Sequence, residues 1–482
     1  MTVVLGLGCR RPCVGRRRIS VKHHHAQRDG RNGADELRHD SAREGDPCGS
    51  DLVLLLQFLV GGRFDGGCVV HAPVNAQTVF LNAAFKRPVC GVDSHVPAFL
   101  AILLIAAAAA PASAQHPSLT AGDWLRVDFK ARFQGDLRTS EAPIRGDEDG
   151  LLDIARRRVG VEGRVARVVD YQAEYELSTH QWRDLYLDYR QFKAVQVRAG
   201  VFKLPLGLEE NTSATNLDFV YRTRISARLA PGRDRGVLVH GRVLKDLIAY
   251  EGGVFRNDGE NARPSNSTRV FGRQTVAARV VAHPFRRSKS PLADVQFGAA
   301  VTSSDVPLGF PAIRARTVFG ASFYNSDVFV NGRRQRTGLE ARWRPGRLSI
   351  QSEYIRLTDE RRGQSVEDGD LSPLIAHGWY ISGTYGLTRK RNRFGRIEAA
   401  ARFETLSFGS RNSTQELSTS TRADAVLGNS DRVTTLGVNW LVNRWVKLQA
   451  NVVREEIGRP SMGPVPERSG FWGRVFRLQL TL

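Results

Sequence analysis

From residue 115 to its end the sequence has no cysteine, since Cys9, Cys13, Cys48, Cys68 and Cys90 all lie before that point. The absence excludes a disulfide-stapled fold or a thiolate metal centre for that part, and it suits export into an oxidising compartment where stray thiols mispair. Long apolar runs are also missing. The longest, Ala98 to Ala110, has thirteen uncharged apolar residues, too few for the roughly 20 that a membrane-spanning helix needs. Acidic residues are outnumbered: 49 Asp and Glu face 70 Lys and Arg, a net charge of +21. Such a balance favours anionic partners, whether nucleic acid, anionic lipid or small anions.

The thirteen-residue run has a context. Lys86 and Arg87 lie upstream and Ala112-Ser113-Ala114 follows Pro111, giving the basic region, apolar stretch and small-residue cleavage site of an export signal in order. Residues 98–114 are therefore expected to be a signal peptide cut near Ala114. Residues 1–97, with an irregular cysteine set and no periodic apolar pattern, read as a non-native, disordered leader. No methionine occurs between Met1 and Met462, so a start at Val89, Val92 or Val96 is expected. His23-His24-His25 reads as a solvated basic run. Export also makes nucleic acid the least suitable of the anionic partners.

Beyond residue 115 the chain alternates. Leu125, Val127, Phe129, Ala131 and Phe133 interleave with Arg126, Asp128, Lys130 and Arg132, a period of two that marks strands with one apolar face. The pattern returns at 168–177 and 396–408, with charged residues on the other face. Short connections at 243–246, 345–346 and 442–444 contrast with long polar ones near 134–153, 205–235, 257–268, 304–334, 358–376, 408–430 and 456–470, plus a shorter one at 178–183. Short turns on one side and long loops on the other characterise an outer-membrane β-barrel, with short turns periplasmic and long loops extracellular. Eight outer loops imply about 16 strands for residues 115–482, or 18 if "TVFGASFY" within 304–334 forms two more. The last twelve residues alternate to Leu482, as a closing strand must. Trp124, Trp182, Trp379, Trp440, Trp445 and Trp472 fall near expected strand ends, where aromatic girdles belong.

Strand parity nominates Arg126, Lys130, Arg132, Arg158, Arg164 and Arg198 as lumen-facing. Guanidinium groups in a narrow channel attract oxyanions and suit bidentate hydrogen bonding, although Asp128, Glu162 and Glu174 are at hand to pair with them. The same parity puts Lys203 on the lipid face, unless a bulge near Gly200 shifts the register or the strand ends before Pro205. No nucleophile elbow, P-loop or metal-ligand cluster is present, so no enzyme activity, catalytic residue, cofactor or metal site is expected.

"GVFKLPLGLEENTS" (200–213) and "YRTRISARLAPGRDRGV" (221–237) resemble segments of the phosphate-selective porin O and P family, as do 247–259, 344–354 and 435–454. The resemblance implies a homotrimeric channel in which the third loop folds inward, here 205–235 with Lys203 just before it and Arg222, Arg224, Arg228, Arg233 and Arg235 within it. Small anions such as phosphate, outer-membrane lipid and the barrel-assembly machinery are the partners it implies. Tyr221 replaces an acid common before that arginine, and Leu482 replaces the usual terminal phenylalanine. The expected function is an anion-preferring diffusion channel; the alternative is a structural or adhesive barrel with a closed lumen.

Overall fold

The computed structural model describes residues 117–144, 152–261, 274–311, 314–324, 329–388, 395–410, 426, 428–465 and 468–482. The expected leader and signal segment lie outside the described residues. A short strand β1 (Ser118–Ala121) precedes β2 (Leu125–Ser140), β3 (Leu152–Val165), β4 (Val169–Glu176) and β5 (Gln181–Tyr189). Next come β6 (Gln196–Lys203), β7 (Arg233–Val243), β8 (Ile248–Phe255), β9 (Thr275–Ala282) and β10 (Gln296–Pro311). A small hairpin, β11 (Ala315–Arg316) with β12 (Ser322–Tyr324), separates these from β13 (Phe329–Trp343) and β14 (Leu348–Arg361). The series ends with β15 (Leu371–Gly386), β16 (Arg396–Ser410), β17 (Asn429–Leu441), β18 (Val446–Ile457) and β19 (Gly470–Thr481).

β2 to β10 and β13 to β19 pair antiparallel in sequence order, and β19 returns to β2 with Phe476 opposite Leu137. These sixteen strands form a closed barrel. Closure leaves no strand edge with unpaired amides facing hydrocarbon, where each would cost several kcal/mol. The eighteen-strand alternative fails, because "TVFGASFY" contributes to the β11–β12 hairpin, which pairs with itself and not with the wall.

The period-two pattern sorts side chains between two environments. Phe129, Val159, Leu187, Val237, Leu339 and Leu436 stay exposed on the outer surface, as lipid contact requires. The inward faces differ around the ring. On β2 to β5 they carry Gln134, Asp136, Arg158, Glu174, Glu176 and Asp188. On β14 to β19, Ile355, Leu357, Leu406, Val433, Val453 and Val475 point inward among acids such as Glu404 and Glu455.

Turns at one end are tight. Leu244, Lys245 and Asp246 all take positive φ, at 52°, 57° and 69°, so this turn holds left-handed backbone without a glycine. Two links on that side are longer, 283–295 and 387–395. At the other end the strands outrun the expected boundaries: β2 continues to Ser140, β14 to Arg361 and β10 to Pro311. A strand needs only about 9–11 residues to cross the bilayer, and β2 and β10 with sixteen residues each and β14 with fourteen project beyond it.

Candidate functional site

Residues 204–232 leave β6 and cross the interior instead of standing outside. The loop contains α1 (Leu208–Asn211) and α2 (Arg224–Arg228). Gly207 turns the chain into α1 with φ 91°, and a Cβ there would come within 2.9 Å of the Glu353 carboxylate that accepts the Leu208 N–H. Thr223 caps α2 by accepting from the Ser226 N–H, and donates its hydroxyl to Glu209. Leu206, Ile225, Leu229 and Ala230 then pack against inward Ile355, Leu357, Tyr380 and Leu406. Each large apolar side chain buried this way contributes about 1.5–3 kcal/mol.

The far end of the loop reaches the opposite wall. Asn451 accepts from the Val220 N–H at 2.8 Å, Asn439 donates to the Asp218 carbonyl at 2.9 Å, and Lys447 donates to the Leu217 carbonyl at 2.6 Å. Arg477 grips Asp136 through two hydrogen bonds of 2.6 Å and donates its third nitrogen to the Val220 carbonyl at 2.7 Å. Burial pushes the Asp218 carboxyl up to about 6, against the pull of the Lys447 ammonium.

A second segment joins it. The β11–β12 hairpin places Val318 and Phe319 in one cluster with Val220, Val433, Val453 and Val475, and Phe319 meets the Tyr221 ring edge-on at 5.7 Å. Glu455 accepts from the Val318 N–H at 3.0 Å. Sequence reasoning treated 304–334 as an outer loop. Its signal was the apolar content of the segment, Val318 and Phe319 among others, which a solvated outer loop would not need.

The first loop leaves room on the β2–β7 side, where a cavity of about 430 Å³ is lined by nine basic residues and five acidic ones. Lys130, Arg132, Arg158, Arg198, Lys203, Arg222 and Arg233, all nominated from sequence, line it together with Arg156 and Arg183. Most are engaged. Lys130 meets Glu162 at 2.6 Å, Arg132 meets Glu174 at 3.6 Å, and Arg158 bridges Glu174 and Glu176 at 2.9 and 2.7 Å. Arg198 holds Asp188 at 2.7 Å and lies over the Tyr186 ring, while Arg233 holds Asp184 at 3.0 Å.

Lys203 is the last residue of its strand, and its ammonium turns inward to the Glu210 and Thr212 carbonyls. Of the two alternatives to a lipid-facing lysine, the strand end before Pro205 is the one observed, since register with β7 is continuous through Lys203. Arg222 donates to the same Thr212 carbonyl at 2.8 Å and stands 3.4 Å from the Glu210 carboxylate. Cations beside the C-terminal carbonyls of α1 offset their partial negative charge.

Arg156 differs from the others. Its one hydrogen bond is to the Gln134 side chain at 2.5 Å, and among the described residues it has no carboxylate partner. It occupies the same face as Arg158, one pleat away, which was the available clue. Arg183 reaches the cavity through a register irregularity between β4 and β5, invisible to simple alternation.

Other nominated residues lie elsewhere. Arg126 and Arg164 are exposed and pair with Asp128 and Asp170 at 2.8 and 2.5 Å, outside this cavity. Arg224 is an anchor, not a solute ligand: only 3% exposed, it donates to the Arg316 carbonyl and faces Asp431 at 3.6 Å. Arg228 closes α2 outside the cavity lining. Arg235 lies in β7 on the outer surface beside Val237, because strand parity continues through it, so it is not in the inward loop.

The profile of a family described as phosphate-selective porin O and P matches residues 127–462. The chain belongs to the phosphate-selective porin O and P family. Like other porins it is an outer-membrane channel protein. Among solved structures it is similar to OmpT, an outer membrane protein of Vibrio cholerae, at 13% identity and TM-score 0.49, covering 76% of this chain and 99% of that one. It is also similar to an anion-selective porin from Comamonas acidovorans, at 10% identity and TM-score 0.49 over 74% of this chain and 99% of that one. The outer membrane channel DcaP of Acinetobacter baumannii aligns at 9% identity and TM-score 0.48, over 76% of this chain and 99% of that one. A search of curated proteins finds no match.

Proposed function

We propose that this porin prefers anions and passes phosphate or related oxyanions through the β2–β7 side of its lumen. The observation that carries the reading is Arg156, a guanidinium without a carboxylate partner in a cavity where basic residues exceed acidic ones. Low-dielectric walls strengthen such a field, and a planar guanidinium matches the geometry of an oxyanion. Lys203 and Arg222 supply further donors at the loop margin. Family membership supports the same solute class and a homotrimer. Export by cleavage near Ala114, and recognition of the Leu482 end by the barrel-assembly machinery, belong to the same proposal.

The test is chloride conductance through single channels in planar bilayers with increasing phosphate. A phosphate site in the path slows chloride current in a saturable way, and Arg156→Gln weakens that block. Current unaffected by phosphate would count against the solute assignment. The second reading, a closed structural barrel, is favoured by the two inward segments that pack against each other inside the wall. Absence of any current step in correctly folded protein would select it.

A further inference from the structure

The outer surface of β17 to β19 changes character along its height. On β17, Trp440, Val438 and Leu436 lead up to Arg432; on β18, Leu448, Ala450 and Val452 lead to Arg454; on β19, Leu480, Leu478 and Phe476 lead to Arg474. Register sets Thr434 opposite Arg454 and Val452 opposite Arg474, so Arg454 is a diagonal neighbour of both Arg432 and Arg474, which themselves lie two strands apart. Diagonal positions are roughly 7–8 Å apart, within reach of one headgroup for side chains this long. Arg454 is braced by Glu456 at 3.5 Å and lies 5.4 Å over the Trp472 ring. Arg432 and Arg474 are exposed and have no carboxylate partner among the described residues.

A lipid-facing arginine is costly at mid-membrane and nearly free at the interface. These three stand at the loop end of the apolar band, where the outer-leaflet headgroups lie. Beneath them the wall is hollow. A concavity of about 910 Å³ opens on the outer surface where Gly383, Ala399, Ala401 and Ala450 present little side chain between Leu436 and Phe476, with Arg474 on its lining.

We propose that this patch binds a phosphorylated lipid of the outer leaflet, its phosphate held by Arg432, Arg454 and Arg474 and an acyl chain lying in the hollow. Charge decides between lipid and a second copy of the chain. The acids at outward strand positions, Asp305, Glu360 and Glu456, are themselves engaged, Glu360 by Arg362 at 2.6 Å and Glu456 by Arg454. The wall strands of another copy would therefore bring no free carboxylate to these two guanidinium groups, whereas a phosphate bonds each of them with charge-assisted hydrogen bonds.

The experiment is native mass spectrometry of the folded barrel in non-ionic detergent, titrated with diphosphoryl lipid A, its dephosphorylated form and phosphatidylethanolamine. Wild type is expected to retain one diphosphoryl lipid A per chain. Arg432→Gln with Arg474→Gln should weaken that retention at least about tenfold, the loss expected for removing charged hydrogen bonds, while leaving the dephosphorylated lipid unaffected. Each substitution is also made singly, and Ala450→Trp fills the hollow without touching the arginines and should weaken retention too. Heat-modifiable gel migration verifies that each variant is folded. Equal retention by wild type and the double variant overturns the proposal, as does an equal loss of the dephosphorylated lipid. Efficient cross-linking of Ala401→Cys to a second copy in native membranes also overturns it, since protein would then cover the face.

Discussion

The two sides of this barrel's interior use the same kind of strand for opposite ends. On β2 to β7 many inward positions are charged, and they surround a cavity where a solute has room. On β14 to β19 apolar inward positions such as Ile355, Leu406 and Val453 are mixed with charged and amide ones, and two segments from elsewhere in the chain cover them. Arginine shows the difference most clearly. Arg158 and Arg198 on the first side keep part of their donors toward the cavity, whereas Arg402 and Arg477 on the second are buried and committed to Glu209, Glu404, Asp136 and backbone carbonyls. Counting basic residues therefore says little about selectivity until each is assigned to a side.

That division can be broken or sharpened by substitution. The largest effect is expected from Arg477→Ala, which strands the buried Asp136 carboxylate and releases the Val220 carbonyl. Removing one member of a buried pair costs about 3–5 kcal/mol, so the folded, heat-modifiable form should be lost at a clearly lower temperature. A melting profile matching wild type would mean the packed side is not held this way. Phe319→Ala comes next. Loss of a buried phenylalanine costs about 3 kcal/mol or more, and loosening the hairpin should raise open-channel noise in single-channel records.

On the cavity side, Arg156→Glu with Arg222→Glu swings the local charge by four units, and the reversal potential in a salt gradient should move toward cations. Arg362→Glu with Arg468→Glu, both on exposed outer segments, should move it less, because bulk salt screens charges beyond a Debye length of about 8 Å. Equal shifts from both pairs would put the charge filter elsewhere. The smallest effect concerns pH. With its carboxyl raised to about 6, Asp218 is ionised above that value and neutral below, so anion preference should rise modestly as pH falls from 7 to 5. Asp218→Asn should abolish that change; a pH response that persists in the variant assigns it to another group.

Much of this was legible in the sequence. Alternation at Leu125 to Phe133 and the tally of eight outer loops led to the sixteen-strand barrel, because a lipid-facing wall imposes a period of two. Seven of the nine basic cavity residues followed from the same parity or from family resemblance. What escaped has a common cause. Arg183 enters through a register slip, and Arg235 is carried to the outer face by a strand that starts earlier than expected, and neither alters local composition. Contacts such as Asn451 with Val220 join residues far apart in the chain. Inward Ile355, Leu406 and Val453 did leave a trace, since strands with apolar residues on both faces imply cover from inside.

Arg477 gives the fold a timing constraint. One guanidinium binds Asp136 across the seam between last and first strands, and Val220 at the tip of the inward loop. The seam cannot adopt its final contacts until the terminal strand has been delivered, and Arg477 cannot complete its hydrogen bonds until the loop is inside. Maturation is thus coupled: sealing of the wall and seating of the loop are one cooperative event, and a chain lacking its last strand would forfeit both together.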